Sequence, residues 1–310
     1  MRNAFVGELK KQAHKNKNII LLTGDLGFSV FENFKEELPE QYINCGVAEQ
    51  NMIGVAAGLA LTGRKVFVYS IAPFVTFRVL EHLRDDVCLQ DLDVKVIGVG
   101  GGFSYGILGG THHAIEDVAT VKSLPNIKVY VPSDPIETRF IMENLTNNSG
   151  PAYLRLGKKG EPDLFKNSSS FEFGKINMIK KGGKAAVFSM GPITGKVLNS
   201  IKKIEKITSN KIYVFSVNTV KPIDRETILK ISNRVNVIIS VEEHSSIGGL
   251  GDSIAAILAE NCSKLDLIFK KIAVEDYDYK KIGNQDYLTD TYGISGSVFE
   301  KKVKEILSSL

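Results

Sequence analysis

Short runs of β-branched and apolar residues alternate along this chain with longer stretches whose apolar residues recur at helical spacing, and this alternation restricts the fold more than any other feature. Residues 19–22, 65–69, 94–99 and 128–131 read as strands. Such nearly continuous apolar runs are expected where both faces of a parallel sheet are covered. The intervening segments have legible helix ends. Residues 48–62 are small and apolar, and Gly63 sits where a C-terminal cap belongs. Ser133-Asp134-Pro135 supplies a capping side chain and then a proline at the first helical position, opening a helix to about Asn144. A second alternating set follows, with strands near 185–189, 212–217, 235–241 and 268–274 and helices near 193–207, 225–232, 250–261 and 298–307. The expected fold class is α/β, with two doubly wound domains and mostly parallel sheets.

The chain has 310 residues, which at about 150 residues per domain suggests two domains. The composition shifts between Gly157 and Gly183, where Lys, Gly, Asn and Ser accumulate, as in Asn167-Ser168-Ser169-Ser170. The expected boundaries are therefore 1–157, a linker over 158–183 holding one short hairpin, and 184–310. With 43% hydrophobic and 24% charged residues the chain has a globular composition, not a disordered one. Its 39 Lys and Arg are interspersed with 35 Asp and Glu, so the net charge of +4 argues against a nucleic-acid partner. No apolar run approaches the roughly 20 residues of a membrane span, and the start lacks a signal-peptide core. Three well-separated cysteines, Cys45, Cys88 and Cys262, form no Cys-x-x-Cys pair. They suit reduced thiols in the cytoplasm better than disulfides or zinc.

The glycine-rich stretches fail the usual nucleotide patterns. Neither Gly98-Val99-Gly100-Gly101-Gly102-Phe103 nor Gly248-Gly249-Leu250-Gly251 completes Gly-x-Gly-x-x-Gly. Lys184 and Lys196 follow glycines but precede Ala185 and Val197, so no phosphate loop is present. His112 and His113 are adjacent, a spacing that puts no two ligands on one helix face, and no nucleophile elbow occurs.

More informative is Cys45-Gly46-Val47-Ala48-Glu49-Gln50-Asn51-Met52. An acid in a first helical turn ordinarily complements the helix dipole. Here it belongs to a series: Thr23-Gly24-Asp25-Leu26-Gly27, then Gly46 to Met52, then Phe74-Val75-Thr76-Phe77-Arg78, then Gly110-Thr111-His112-His113-Ala114-Ile115-Glu116-Asp117. Val131-Pro132-Ser133-Asp134, Val241-Glu242-Glu243-His244 and Gly248-Gly249-Leu250-Gly251 continue it. In this order the motifs resemble the transketolase family of thiamine diphosphate enzymes over nearly the whole chain.

The resemblance implies a pyrimidine-binding domain followed by a transketolase C-terminal domain. It implies that Glu49 hydrogen-bonds a ring nitrogen of the coenzyme's aminopyrimidine, which then deprotonates the thiazolium. Burial among Val47, Ala48 and Met52 is expected to raise the carboxyl pKa so that Glu49 holds a proton near neutral pH. Phe77 is expected against the pyrimidine, with Phe74 as cofactor contact or structural support. His112 matches the histidine facing the reacting end of the substrate, while His113 has no such counterpart. Arg2, Ser29 and Lys158 match positions that grip the distal phosphate of a sugar phosphate, Lys158 replacing an arginine and losing its bidentate fork.

Two departures stand out. A family histidine falls at Gly102 and a family aspartate at Leu108, which removes two polar groups from the sugar channel and implies a modified sugar. The chain also shows no Gly-Asp-Gly, the start of the signature by which the family's other domain binds diphosphate through Mg2+. The reading is therefore the small subunit of a split transketolase, in a heterotetramer with two large subunits that supply the magnesium ligands. Alternatives are the β subunit of a 2-oxoacid dehydrogenase and a catalytically silent partner.

Overall fold

The structure, a computed structural model, describes residues 1–310 except 28, 209, 262–265, 276 and 309–310. In chain order its strands are β1 (Ile19–Thr23), β2 (Tyr42–Asn44), β3 (Lys65–Ile71), β4 (Val94–Val99), β5 (Lys128–Tyr130), β6 (Ala152–Leu156), β7 (Asn177–Lys180), β8 (Ala185–Met190), β9 (Ile212–Ser216), β10 (Thr219–Lys221), β11 (Val237–Ser245) and β12 (Ile268–Val274). Among the described residues they form a seven-stranded sheet in the order β10-β5-β6-β4-β3-β1-β2 and a five-stranded sheet in the order β12-β11-β8-β9-β7. Both sheets are parallel except at one edge, where β10 and β7 run antiparallel to their neighbours.

The core strands are the apolar runs read from the sequence, and all of β1, β4, β6 and β8 is buried. One helix spans Glu49–Leu61, with Gly63 at φ +85 just past its end. Another, Pro135–Asn147, is capped by the Asp134 carboxylate, which accepts from Glu137 N–H at 2.7 Å. Two features depart from expectation. The stretch read as a linker holds a single strand, β7, instead of a hairpin, and that strand pairs with β9. In addition β10, which lies in sequence between strands of the second sheet, pairs with β5 and completes the first. Cys45 and Cys88 are free thiols, and Cys262 lies outside the described residues. No helix among the described residues is long and apolar enough to cross a membrane.

One apolar cluster runs from the first sheet to the second, through Leu22, Val68 and Val129 to Phe188, Phe215 and Ile238. The seam beside it is polar but paired. Arg155, on β6, is buried. Its Nη2 donates to the carbonyls of Ala114 (2.6 Å) and Glu243 (3.0 Å), and its Nε lies 3.0 Å from Asp117 Oδ2.

The glycines at the end of β4 and just beyond it are seats for side chains. A Cβ at Gly98 would overlap Tyr153, one at Gly100 the Tyr105 ring, one at Gly101 Arg155 and one at Gly102 the Glu243 carboxyl. Gly100 and Gly102 also have φ of +79 and +64, a region that glycine enters without strain. Gly102→Ala should therefore lower unfolding stability by about 2–4 kcal/mol, combining left-handed strain with overpacking. An unchanged urea midpoint in that variant would contradict this packing.

Candidate active site

The loops that matter emerge at the carboxyl edge of the first sheet, where ligands of open α/β sheets bind. Asp25 and Ser29 follow β1, Glu49 follows β2, Phe74 to Arg78 follow β3, the segment from Gly100 to His113 follows β4, and Lys158 follows β6.

Glu49 opens its helix and is 1% exposed. Val47, expected to wall it, is 76% exposed, and Ala48 is exposed too. The polypeptide turns these two outward before the helix begins, so the carboxylate meets polar partners instead of an apolar enclosure. Ser70 Oγ donates to Glu49 Oε1 at 3.2 Å, and Arg78 Nη1 donates to Oε2 at 2.7 Å. The Arg78 guanidinium lies over the Phe74 ring, 4.5 Å from its centroid. Phe74 in turn meets His112 edge-on, at 5.2 Å between ring centroids. Glu49, Arg78, Phe74 and His112 thus form one contiguous group. Phe77, 40% exposed, stands outside these contacts.

His112 is half-buried, with Nδ1 3.0 Å from Thr111 Oγ1. His113 is buried and serves the loop itself. Its Nε2 donates to the Gly106 carbonyl at 3.2 Å, while Nδ1 faces the Tyr277 hydroxyl at 2.5 Å. Burial holds its pKa below the ordinary histidine value. The loop's base is tied by reciprocal hydrogen bonds between Gly102 and Ala114. It is also tied across the seam, where Glu243 Oε1 accepts from Phe103 N–H at 2.6 Å and Gln285 Nε2 donates to both Glu243 oxygens. Burial pushes the Glu243 carboxyl pKa up, against those donors. Beyond the base, Ile107 and Leu108 point outward, and Leu108 is 51% exposed.

Arg2 and Lys158 line one cleft of about 280 Å³ together with Arg139, Lys159 and two carboxylates, Glu161, which pairs with the N-terminal ammonium, and Asp163. Arg2 Nε is buried without a hydrogen-bond partner, and burial pushes the pKa of the neighbouring Tyr69 hydroxyl up, against the pull of the Arg2 charge. Ser29 does not line this cleft. It is exposed at φ +60, and its N–H donates to Glu32 Oε1 at 2.6 Å. Three residues without an assigned role in the sequence belong to the site or its frame: Arg78, Tyr105 and Glu243. Arg78 and Glu243 stood within quoted motifs without a role of their own, whereas Tyr105 had no signal. No group of three or more His, Cys, Asp or Glu side chains able to hold a metal occurs among the described residues.

Comparison with known proteins fits this geometry. The family pattern described as transketolase, pyrimidine binding domain, matches residues 1–161, and that of the transketolase C-terminal domain matches residues 174–297. An apulose-4-phosphate transketolase subunit of Phocaeicola vulgatus is 35% identical over 84% of each chain. The 6-deoxy-6-sulfo-D-fructose transketolase subunit SqwH of a Clostridium species is 31% identical over 99% of this chain and 94% of its own. A solved structure described as a split gene transketolase, inactive beta4 tetramer, superposes with a TM-score of 0.87 at 32% identity, covering 99% of this chain and 97% of that one. The chain belongs to the transketolase family. Its type within that family is the split one: a transferase small subunit that pairs the pyrimidine-binding and C-terminal domains.

The Glu49–Arg78 pair joins a buried carboxylate to a half-exposed guanidinium. Removing the cation strands the carboxylate, so Arg78→Met should cost about 1–2 kcal/mol, less than a fully buried pair because Arg78 reaches solvent. In a double-mutant cycle with Glu49→Gln the two losses should fall short of additivity by about 1 kcal/mol. Strictly additive unfolding free energies would show the pair to be inert.

Proposed function

We propose that this chain is the small subunit of a thiamine diphosphate-dependent transketolase, moving a two-carbon ketol unit from a ketose phosphate to an aldose acceptor. The observation that carries the reading is the seat beside Glu49. A flat, hydrogen-bond-donating group, the Arg78 guanidinium, already lies on Phe74 and points at the Glu49 carboxylate. An aminopyrimidine is flat as well, and with Arg78 displaced it could lie on Phe74 or Phe77 with a ring nitrogen accepting a hydrogen bond from the protonated Glu49 carboxyl. When bound, thiamine diphosphate supplies a carbanion that accepts and releases the ketol unit.

The chain's own residues have separate tasks in this reading. Glu49 holds a proton toward a ring nitrogen of the pyrimidine. His112, edge-on to Phe74, moves a proton at the substrate oxygen that becomes an alkoxide. Arg2 and Lys158 hold the distal phosphate, and Ser29 joins them only through movement of its loop. The diphosphate and its Mg2+ are assigned to a large subunit, since the Gly-Asp-Gly that begins the family's diphosphate-binding signature does not occur in this sequence. The assembly in this reading is a heterotetramer with two of each subunit, and the relative described as an inactive beta4 tetramer supports the need for a partner. The free thiols of Cys45 and Cys88 suit a reducing, cytoplasmic setting.

Exposed Ile107 and Leu108 near His112 favour a less polar or otherwise modified sugar. The relatives named for apulose 4-phosphate and 6-deoxy-6-sulfo-D-fructose make such a substrate plausible for this chain. They also favour ketol transfer over the oxidative decarboxylation of a dehydrogenase.

With its large subunit, Mg2+ and thiamine diphosphate, the chain should transfer label from a ketose phosphate to an aldose. Glu49→Gln should lower turnover by about 10²–10⁴-fold, far more than its small loss of stability explains, while the protein still unfolds in one cooperative transition. Wild-type rates in that variant would remove the role of Glu49. Full turnover by the small subunit alone would remove the split assignment. Equal use of ordinary xylulose 5-phosphate and ribose 5-phosphate would count against a modified sugar.

A further inference from the structure

Between His112 and the cationic cleft stands Tyr105, which has no counterpart among the motif residues. Three observations fix its place. Gly100, at φ +79, leaves the space that the Tyr105 ring fills. On one side the ring meets His112 at 6.5 Å between centroids, at an interplanar angle of 62°. On the other, Lys158 Nζ stands 4.5 Å from the ring centroid. The phenol is half-buried, and burial raises its pKa, partly offset by the charge of Arg2.

A cation over a tyrosine ring is often only a stiffening contact. Two features point beyond that. Lys158 stands on the Tyr105 ring and shares a cleft with Arg2, and neither cation forms an ion pair with a carboxylate among the described residues. Arg2 Nε is also buried without a hydrogen-bond partner. Cations placed this way complement a ligand anion.

We propose that Tyr105 is a substrate-binding residue: its hydroxyl donates a hydrogen bond to the terminal phosphate of a sugar phosphate held by Arg2 and Lys158, and its ring walls the passage from that phosphate to His112. This rests on the functional reading above and deepens it. Tyr105 gives back a polar group to a channel from which Gly102 and Leu108 remove two.

The test is calorimetric binding of aldose phosphates of three to six carbons, and of the matching unphosphorylated sugars, to the enzyme assembled with its large subunit. Wild type, Tyr105→Phe and Lys158→Ala are compared. Tyr105→Phe removes only the hydroxyl and should weaken binding of the phosphorylated sugars about 10-fold or more, as expected for a hydrogen bond to a charged group. Binding of the unphosphorylated sugars should not change, and Lys158→Ala should weaken the phosphorylated set alone. Tyr105→Phe with wild-type affinity for the phosphorylated sugars, or with equal losses for both sets, overturns the Tyr105 assignment even where Lys158→Ala behaves as expected. If Lys158→Ala has no effect, or wild type does not prefer the phosphorylated sugars, the anion site itself falls and the Tyr105 assignment with it.

Discussion

A single buried guanidinium organises the catalytic edge of this protein. Taking a charge out of water costs several kcal/mol unless its partners are well placed. Arg155 meets that condition with the Asp117 carboxylate and two carbonyls, one at the base of the His112 loop and one on β11 of the second sheet. Asp117 is held in turn by the Tyr153 hydroxyl at 2.7 Å. The geometry of the site therefore depends on both halves of the chain, because neither carbonyl can shift without leaving part of a buried charge unmatched.

The three glycines that follow β4 complete this frame. They resemble a phosphate-binding loop in composition, but their missing side chains make room for Tyr105, Arg155 and Glu243 in turn. Each of those residues reaches the His112 loop from a different direction: from within the loop, from β6 and from β11. The departure at Gly102 thus has a local physical cause. Any side chain there would displace the Glu243 carboxyl that receives the Phe103 N–H.

Much of the fold was legible because its signals are local. The apolar runs of β1, β3 and β4 and the Asp134 cap each declare themselves within a few residues. Strands β2 and β10 do not, since three residues carry no periodicity and β10 is a strand only because Tyr130 lies opposite Thr219. The site divides in the same way. Glu49, Phe74 and His112 stand in recognisable motifs, and the structure brings them together. The surroundings of Glu49 differ from the apolar enclosure expected of them because the exposure of Val47 and Ala48 is set by the path of the preceding loop, which no local pattern encodes. The task of Glu243, although it stands in a motif, and the place of Tyr105 were hidden for a related reason: their partners are assembled across the seam or through a glycine left bare.

The placement of β10 bears on how such a protein can be taken apart. A cut anywhere between β6 and β7 looks harmless on paper, since it falls between two recognisable modules. It would nevertheless strip the outermost strand from the first of them, leave β5 with an unpaired row of backbone amides and carbonyls, and invite edge-to-edge aggregation. The halves are interleaved, so a truncated fragment or a chimera spliced at that junction inherits an open border that the intact polypeptide never presents.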